Sequence, residues 1–232
     1  FCEDYKHVVI NARHELILIR SRTDANCIVT KPERHKNPTI TLLKVQWRMP
    51  HVVLNDVNKL SFLRTLESGR YLSIRGLWKQ RHSLKPRYVI FALQTGRSNN
   101  LLKHASEFDD GNLTHVKLYL NSDFYPYDDM NLDFEKRRTA ILYEMYAKFR
   151  KSYYGCEREN ALLTMEEFDK WGPFVVIDCF RQNESVKSAT VDVRIEFDCK
   201  HNIDSNTTAY CLIIHDRVIE YNPLTNIVRK IV

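Results

Sequence analysis

The sequence predicts a mainly β protein, antiparallel and packed as a sandwich or barrel, with two or three helices inserted between strands. The first observation is the run V-D-V-R-I-E-F-D-C-K, Val191 to Lys200. It sets Val191, Val193, Ile195, Phe197 and Cys199 on one face and five charges on the other. Successive side chains of a strand point to opposite sides, so this alternation marks a sheet packed on a core and wet behind, the habit of antiparallel sheets. The second observation is recurrence: about eleven short segments rich in Val, Ile, Tyr and Phe are separated by turn residues. The third is that the chain has only 6 glycines, where ordinary usage would supply roughly 16. That leaves few positions for phosphate-cradling loops and weighs against nucleotide-binding folds.

The strand candidates are, in order, His7 to Ile10, Glu15 to Arg20, Thr39 to Trp47, Tyr71 to Leu77, Arg87 to Thr95, Thr114 to Asn121 and Phe174 to Phe180. Val191 to Lys200, Thr208 to Ile214, Arg217 to Tyr221 and Asn226 to Ile231 follow. The last four read as a meander, turned at Ser205-Asn206, at a tight His215-Asp216 tip and at Asn222-Pro223. Tyr88 to Leu93 is apolar on both faces and predicts a central strand covered on both sides, with the longest helix as one cover.

Three helices are expected. Asn55 can cap a short one carrying Val57, Leu60, Leu63 and Leu66 on one face and stopping at Gly69. Thr164 and Glu167 form a capping box for another, which ends at Gly172-Pro173. The longest runs from about Asn131 to Tyr153, with Ile141, Leu142, Met145, Phe149 and Tyr153 in a core stripe and Glu144 and Lys148 as an i,i+4 pair. Asp128 and Asp129 would lead into it, where its dipole favours them. Residues Ile28 to Pro38 and Gly96 to Gly111 read as exposed loops.

At 232 residues the chain is expected to be one domain. Its 44% hydrophobic and 28% charged content suits a folded protein with a sizeable core rather than a disordered one. The net charge of +6 is modest. Local basic clusters occur at Arg34, His35 and Lys36, at Lys79, Arg81, His82, Lys85 and Arg87, and at Lys136, Arg137 and Arg138. The bland reading of each is a solvated face; the functional one is a surface toward nucleic acid. Lys79, Arg81, Lys85 and Arg87 are the candidate basic contact surface.

Cys2, Cys27, Cys156, Cys179, Cys199 and Cys211 show no C-x-x-C spacing. They read as small buried hydrophobes in a reducing compartment. Asn112, Asn183 and Asn206 are glycosylation acceptors only if the chain enters the secretory pathway. No apolar run reaches the ~18 residues needed to cross a bilayer, so no membrane span is expected. Since the chain starts at Phe1 rather than Met, it reads as a piece of something longer.

Signatures of chemistry are missing. There is no G-x-S-x-G, Walker A or dinucleotide fingerprint. His14-Glu15 opens like a zinc helix, but Leu18 stands where the second histidine must be. No two of the nine histidines are spaced H-x-H or H-x-x-x-H. His215-Asp216 reads as a polar hairpin tip. Arg87-Tyr88 and Lys148 to Tyr154 interleave basic and aromatic residues as single-strand binders do, yet Tyr88 and Tyr153 also suit a core. No catalytic, cofactor or metal-binding residue is assigned, and no cofactor is expected.

As whole segments, the chain is familiar. A-R-H-E-L-I-L-I-R-S-R (12 to 22), V-Q-W-R-M-P-H-V (45 to 52), K-P-R-Y-V-I-F-A-L-Q-T (85 to 95), V-K-L-Y-L-N-S-D-F-Y-P (116 to 126), V-D-V-R-I-E-F (191 to 197) and T-A-Y-C-L-I-I-H-D-R-V-I-E-Y-N-P-L-T (208 to 225) resemble the double jelly-roll major capsid proteins of Polinton or Maverick elements and adintoviruses, in the form carried by insect genomes. The resemblance implies an antiparallel jelly-roll sandwich, the C-terminal part of a longer capsid protein, working without catalysis as a trimeric or higher homo-oligomer in a virion or the host cell interior. Two departures accompany it: the chain reads as beginning without an N-terminal roll, and Leu77 to Leu84 reads as shorter than expected between the equivalent strands. The short connection, together with the basic stretch Lys79 to Arg87, favours, as the alternative, a host-retained module of viral origin that recognises protein or nucleic acid through its loops.

Overall fold

A computed structural model describes residues 15–31, 38–49, 51–68, 72–75, 86–155, 161–180, 191–215, 218–222 and 227–231. The elements among them are α1 (Asp56–Glu67), β1 (Leu72–Arg75), β2 (Pro86–Thr95), β3 (Leu113–Leu120), β4 (Asp123–Tyr125), α2 (Ala140–Tyr154), α3 (Met165–Trp171), β5 (Val175–Asp178), β6 (Val193–Cys199), β7 (Thr207–His215), β8 (Val218–Asn222) and β9 (Ile227–Ile231). They fall into two compact units. The first holds residues 1–21, 40–79 and 216–232, and the second 22–39 and 80–215.

In the first unit β8 lies between β1 and β9, antiparallel to both. Helix α1 begins where expected, because the Asn55 side chain accepts from the Asn58 backbone N–H at 2.9 Å. Its apolar stripe is not covered: Val57, Leu60 and Leu63 are exposed and Leu66 alone is buried.

The second unit is a sandwich of two antiparallel sheets, in the orders β5-β2-β7 and β4-β3-β6. Alternation in β2 divides its side chains between two apolar environments. Val89, Phe91 and Leu93 enter the core between the sheets, against Val116, Leu118 and Leu120 of β3. The Phe91 and Phe197 rings lie 5.1 Å apart there. On the opposite face, Tyr88 meets Phe149 of α2 edge to face at 4.9 Å and donates to Ser152 Oγ at 2.8 Å. The central strand is covered on both sides, as its unbroken apolar wording predicts.

Leu113 and Val116, three residues apart, both point inward because the β3–β6 register shifts between Leu113 and His115. Helix α3 carries the full capping box: Thr164 Oγ1 accepts from Glu167 N–H, and Glu167 Oε2 accepts from Thr164 N–H. The Thr164 N–H and hydroxyl, both donating to Glu167 Oε2, hold the Glu167 carboxyl below its ordinary value.

Several expectations are corrected. Glu15 to Arg20 and Thr39 to Trp47 are not strands: Arg20 Nη2 donates to Ile40 O at 2.6 Å, but neither segment joins a sheet among the described residues, and Ile19 and Leu43 stand more than nine-tenths exposed. Alternation supplies a face, but a strand also needs a neighbour to complete its backbone hydrogen bonds. The first candidate, His7 to Ile10, lies outside the described residues. Helix α2 begins at Ala140, about nine residues later than expected. Asn131 and Arg137 have positive φ, Asp133 Oδ1 accepts from Lys136 N–H, and Asp133 bridges Arg138, so the stretch before it turns instead of coiling.

The C-terminal meander does not form. β6 pairs with β3, β7 with β2, and only β8 and β9 make a hairpin. His215 closes β7 opposite Pro86, and the rest of the expected tight tip, from Asp216, lies outside the described residues. Period 2 names the buried face of a strand and leaves its neighbours open.

Candidate association surface

Strand β7 reads T-T-A-Y-C-L-I-I-H, nine residues without an acidic or basic side chain other than His215. β-Branched and aromatic residues favour an extended chain. On one side β2 pairs with it along its whole length, from Thr207 opposite Thr95 to His215 opposite Pro86. On the other side no strand lies beside it among the described residues. Among the described residues, alternate N–H and C=O groups between Thr208 and Ile214 have no strand opposite them on that side.

The side chains follow the same division. Ile213 packs against the inter-sheet core and Ile214 is buried beside Tyr88 and Val176. Thr208, Ala209 and Cys211 are exposed, with Tyr210 at 44% and Leu212 at 48%. Tyr210 is anchored at its inner side by Phe108, whose ring lies 6.3 Å away.

The other edges of this unit are guarded. β6 carries Arg194, Glu196 and Asp198 on its wet face, Arg194 pairing with Glu196 at 3.4 Å and lying 4.4 Å from the Tyr119 ring centroid. β4 has three residues and β5 four. Charge and brevity discourage edge-to-edge pairing. β7 has neither.

Its N-terminal end is held by the loop from Gly96 to Gly111. Gly96 N–H donates to Asn206 O at 3.2 Å, and the Thr95 and Thr207 hydroxyls lie 2.9 Å apart. The loop is tied rather than loosely exposed. Arg97 donates through Nε and Nη2 to Asp109 and through Nη1 to Glu107. Gln94, buried, donates to the carbonyls of Ala105 and Glu107, both at 2.7 Å. Partial burial alone would push the Asp109 carboxyl up; the hydrogen bonds from Arg97 and from Thr95 N–H, with the guanidinium charge, outweigh it and hold the group below its ordinary value.

Of the candidate basic surface, Lys79, Arg81 and Lys85 lie outside the described residues. Arg87 is on β2, its guanidinium carbon 4.0 Å from the Phe180 ring centroid and 5.1 Å from that of Tyr88, with Asp178 at 3.9 Å. The Lys148 to Tyr154 stretch is also engaged. Lys148 pairs with Glu144 at 2.6 Å, and Tyr153 stacks on Phe149. Asp129 serves β3 rather than a helix dipole, meeting Lys117 Nζ at 3.1 Å and His115 Nε2 at 3.4 Å. No cluster of three metal-ligating side chains occurs among the described residues.

Cys179 is buried, its thiol pushed up to about 12 first by desolvation and then by Asp178. Cys211, expected in the core, is exposed because its strand ends the sheet. Sequence reading missed this surface: T-T-A-Y-C-L-I-I reads like a strand buried in mid-sheet. The available signal was the missing charge, unusual for an edge.

A family model described as a double jelly roll-like domain matches residues 1–79 and 77–219. No curated protein and no solved structure matches the chain.

Proposed function

The chain belongs to the double jelly roll-like domain family, and on that premise we propose that it is a structural capsid-type building block, acting by packing and self-association and not by catalysis. The fold is typical of viral capsid proteins. The observation that carries self-association is β7, a nine-residue edge with no Lys, Arg, Asp or Glu in a protein that charges or shortens its other sandwich edges. Trimers or higher homo-oligomers are the proposed products, and the virion the proposed location. The segment wording that resembles Polinton, Maverick and adintovirus capsid proteins supports that lineage, with the chain as the C-terminal roll of a longer protein. No helix among the described residues is long and apolar enough to cross a membrane.

Size-exclusion chromatography with light scattering, followed by electron microscopy, tests the reading. The expected result is a concentration-dependent mass above that of the 27.5 kDa chain, with rings or shells in the images. A monomer at every concentration, salt and pH tried would overturn it.

A basic contact surface at Lys79, Arg81, Lys85 and Arg87 remains part of the proposal as a weak nucleic-acid contact. Its motivation is the charge spacing in the sequence. Retention of single-stranded DNA should fall steeply with added salt, because each neutralised phosphate releases counterions. No retention even at low salt removes this part.

A further inference from the structure

We infer that His115 is an acid-sensitive latch: its neutral imidazole holds the segment Asp128 to Asn131 against β3, and protonation of the ring releases Met130. Nδ1 of His115 accepts from Met130 N–H at 3.2 Å. An accepting ring nitrogen carries no proton, so the proton of the neutral ring sits on Nε2. That second nitrogen is shut off from solvent, with Asp129 Oδ1 at 3.4 Å and no hydrogen-bond partner among the described residues.

A further proton has only Nδ1 to go to, and there it meets the Met130 N–H, donor against donor. Both nitrogens of an imidazolium are donors, so no orientation of the charged ring offers Met130 an acceptor. The His115 side chain is only 16% exposed and Met130 only 5%. Water therefore reaches the abandoned N–H only when the segment lifts.

The release is local. Leu132, two residues on, shares the inter-sheet core with Met130 and donates its N–H to Thr114 O at 2.9 Å. A backbone carbonyl does not titrate, so this bond persists when His115 is charged. The charged groups around the ring are Asp129 from the segment, Lys117 two residues along β3, and Asp198, opposite His115 in the β3–β6 register. Asp129 attracts the imidazolium but is shared with Lys117 Nζ at 3.1 Å, and Lys117 repels it. The Lys117 hydrogen bond, then its charge, hold the Asp129 carboxyl below its ordinary value, so it stays ionised where a histidine charges. These charges act on the ring; the Met130 amide loses its acceptor whichever of them prevails.

Amide hydrogen exchange followed by NMR on the full chain tests the latch between about pH 8 and pH 5, the range in which histidines change charge. After correction for the intrinsic pH dependence of exchange, Met130 protection should fall about fivefold, the factor carried by one neutral hydrogen bond. Its midpoint should match that of the His115 ring signals, and Leu132 protection should stay level. In His115→Asn the side-chain oxygen can still accept but does not titrate, so Met130 protection should become independent of pH, with circular dichroism confirming the fold. Constant Met130 protection while the His115 ring titrates, or a ring that does not titrate in this range, overturns the latch. So does a fall that Leu132 shares or that the folded Asn variant keeps; if that variant does not fold, the wild-type profile decides.

Discussion

Phe168→Ala is expected to lower stability by about 3–5 kcal/mol, the usual cost of truncating a buried phenylalanine. Phe168 is fully buried. Its ring stacks on Tyr146 at 5.2 Å with a 17° interplanar angle and meets Phe174 edge to face at 5.1 Å and Tyr143 at 5.9 Å. The residue joins three elements: it lies on α3, two of its neighbours lie on α2, and Phe174 leads into β5. Alanine would leave a cavity bounded by rigid rings that cannot collapse into it, so both the transfer and the cavity costs apply. Native domains hold only about 5–15 kcal/mol in reserve. Urea titration should show a lower midpoint at unchanged slope, and a loss below about 1 kcal/mol would contradict the packing described.

Asp109→Ala should cost about 1–2 kcal/mol and loosen the start of β7. Its carboxylate accepts from Arg97 Nε at 3.1 Å, from Arg97 Nη2 at 2.6 Å and from Thr95 N–H at 2.7 Å. Removing it leaves the Arg97 guanidinium, 14% exposed, with Glu107 as its remaining carboxylate partner. The exposure of the pair, with Asp109 at 29%, keeps the cost below that of a fully buried ion pair. Faster amide exchange at Gly96 and Thr207 would report the loosening.

The same group gives a pH dependence with a definite sign. Asp109 has a depressed folded value, so its contribution is complete above its ordinary value of 3.8 and is lost as pH falls from there through the folded value. The stability gap between wild type and Asp109→Asn should therefore narrow as the solution is acidified below about pH 4. A gap unchanged down to pH 2 would show that the Arg97 contact does not hold the carboxyl down.

Much of this molecule is legible in its sequence because some signals are local. The Thr164–Glu167 box depends on residues three apart, and both of its bonds form. The β6 alternation is reproduced position by position in its burial. The apolar wording of Tyr88 to Leu93 requires cover on both faces, and both covers are present. The start of α2 was harder: residues 131–139 have tolerable helix composition, and the positive φ of Asn131 and Arg137 shows only in the folded backbone.

By itself the sequence determined most of the stretches that extend, the dry face of β6, where two helices are capped and that the fold is an antiparallel β sandwich. Tertiary structure decided the neighbours. It placed β6 beside β3 and β7 beside β2, left Ile19 and Leu43 without a sheet among the described residues, and put Cys211 on an open edge. The reason is physical: side-chain period is a property of one strand, whereas backbone hydrogen bonding belongs to a pair. An uncharged strand such as β7 can sit mid-sheet or at an edge, and only the packing of the other strands decides which.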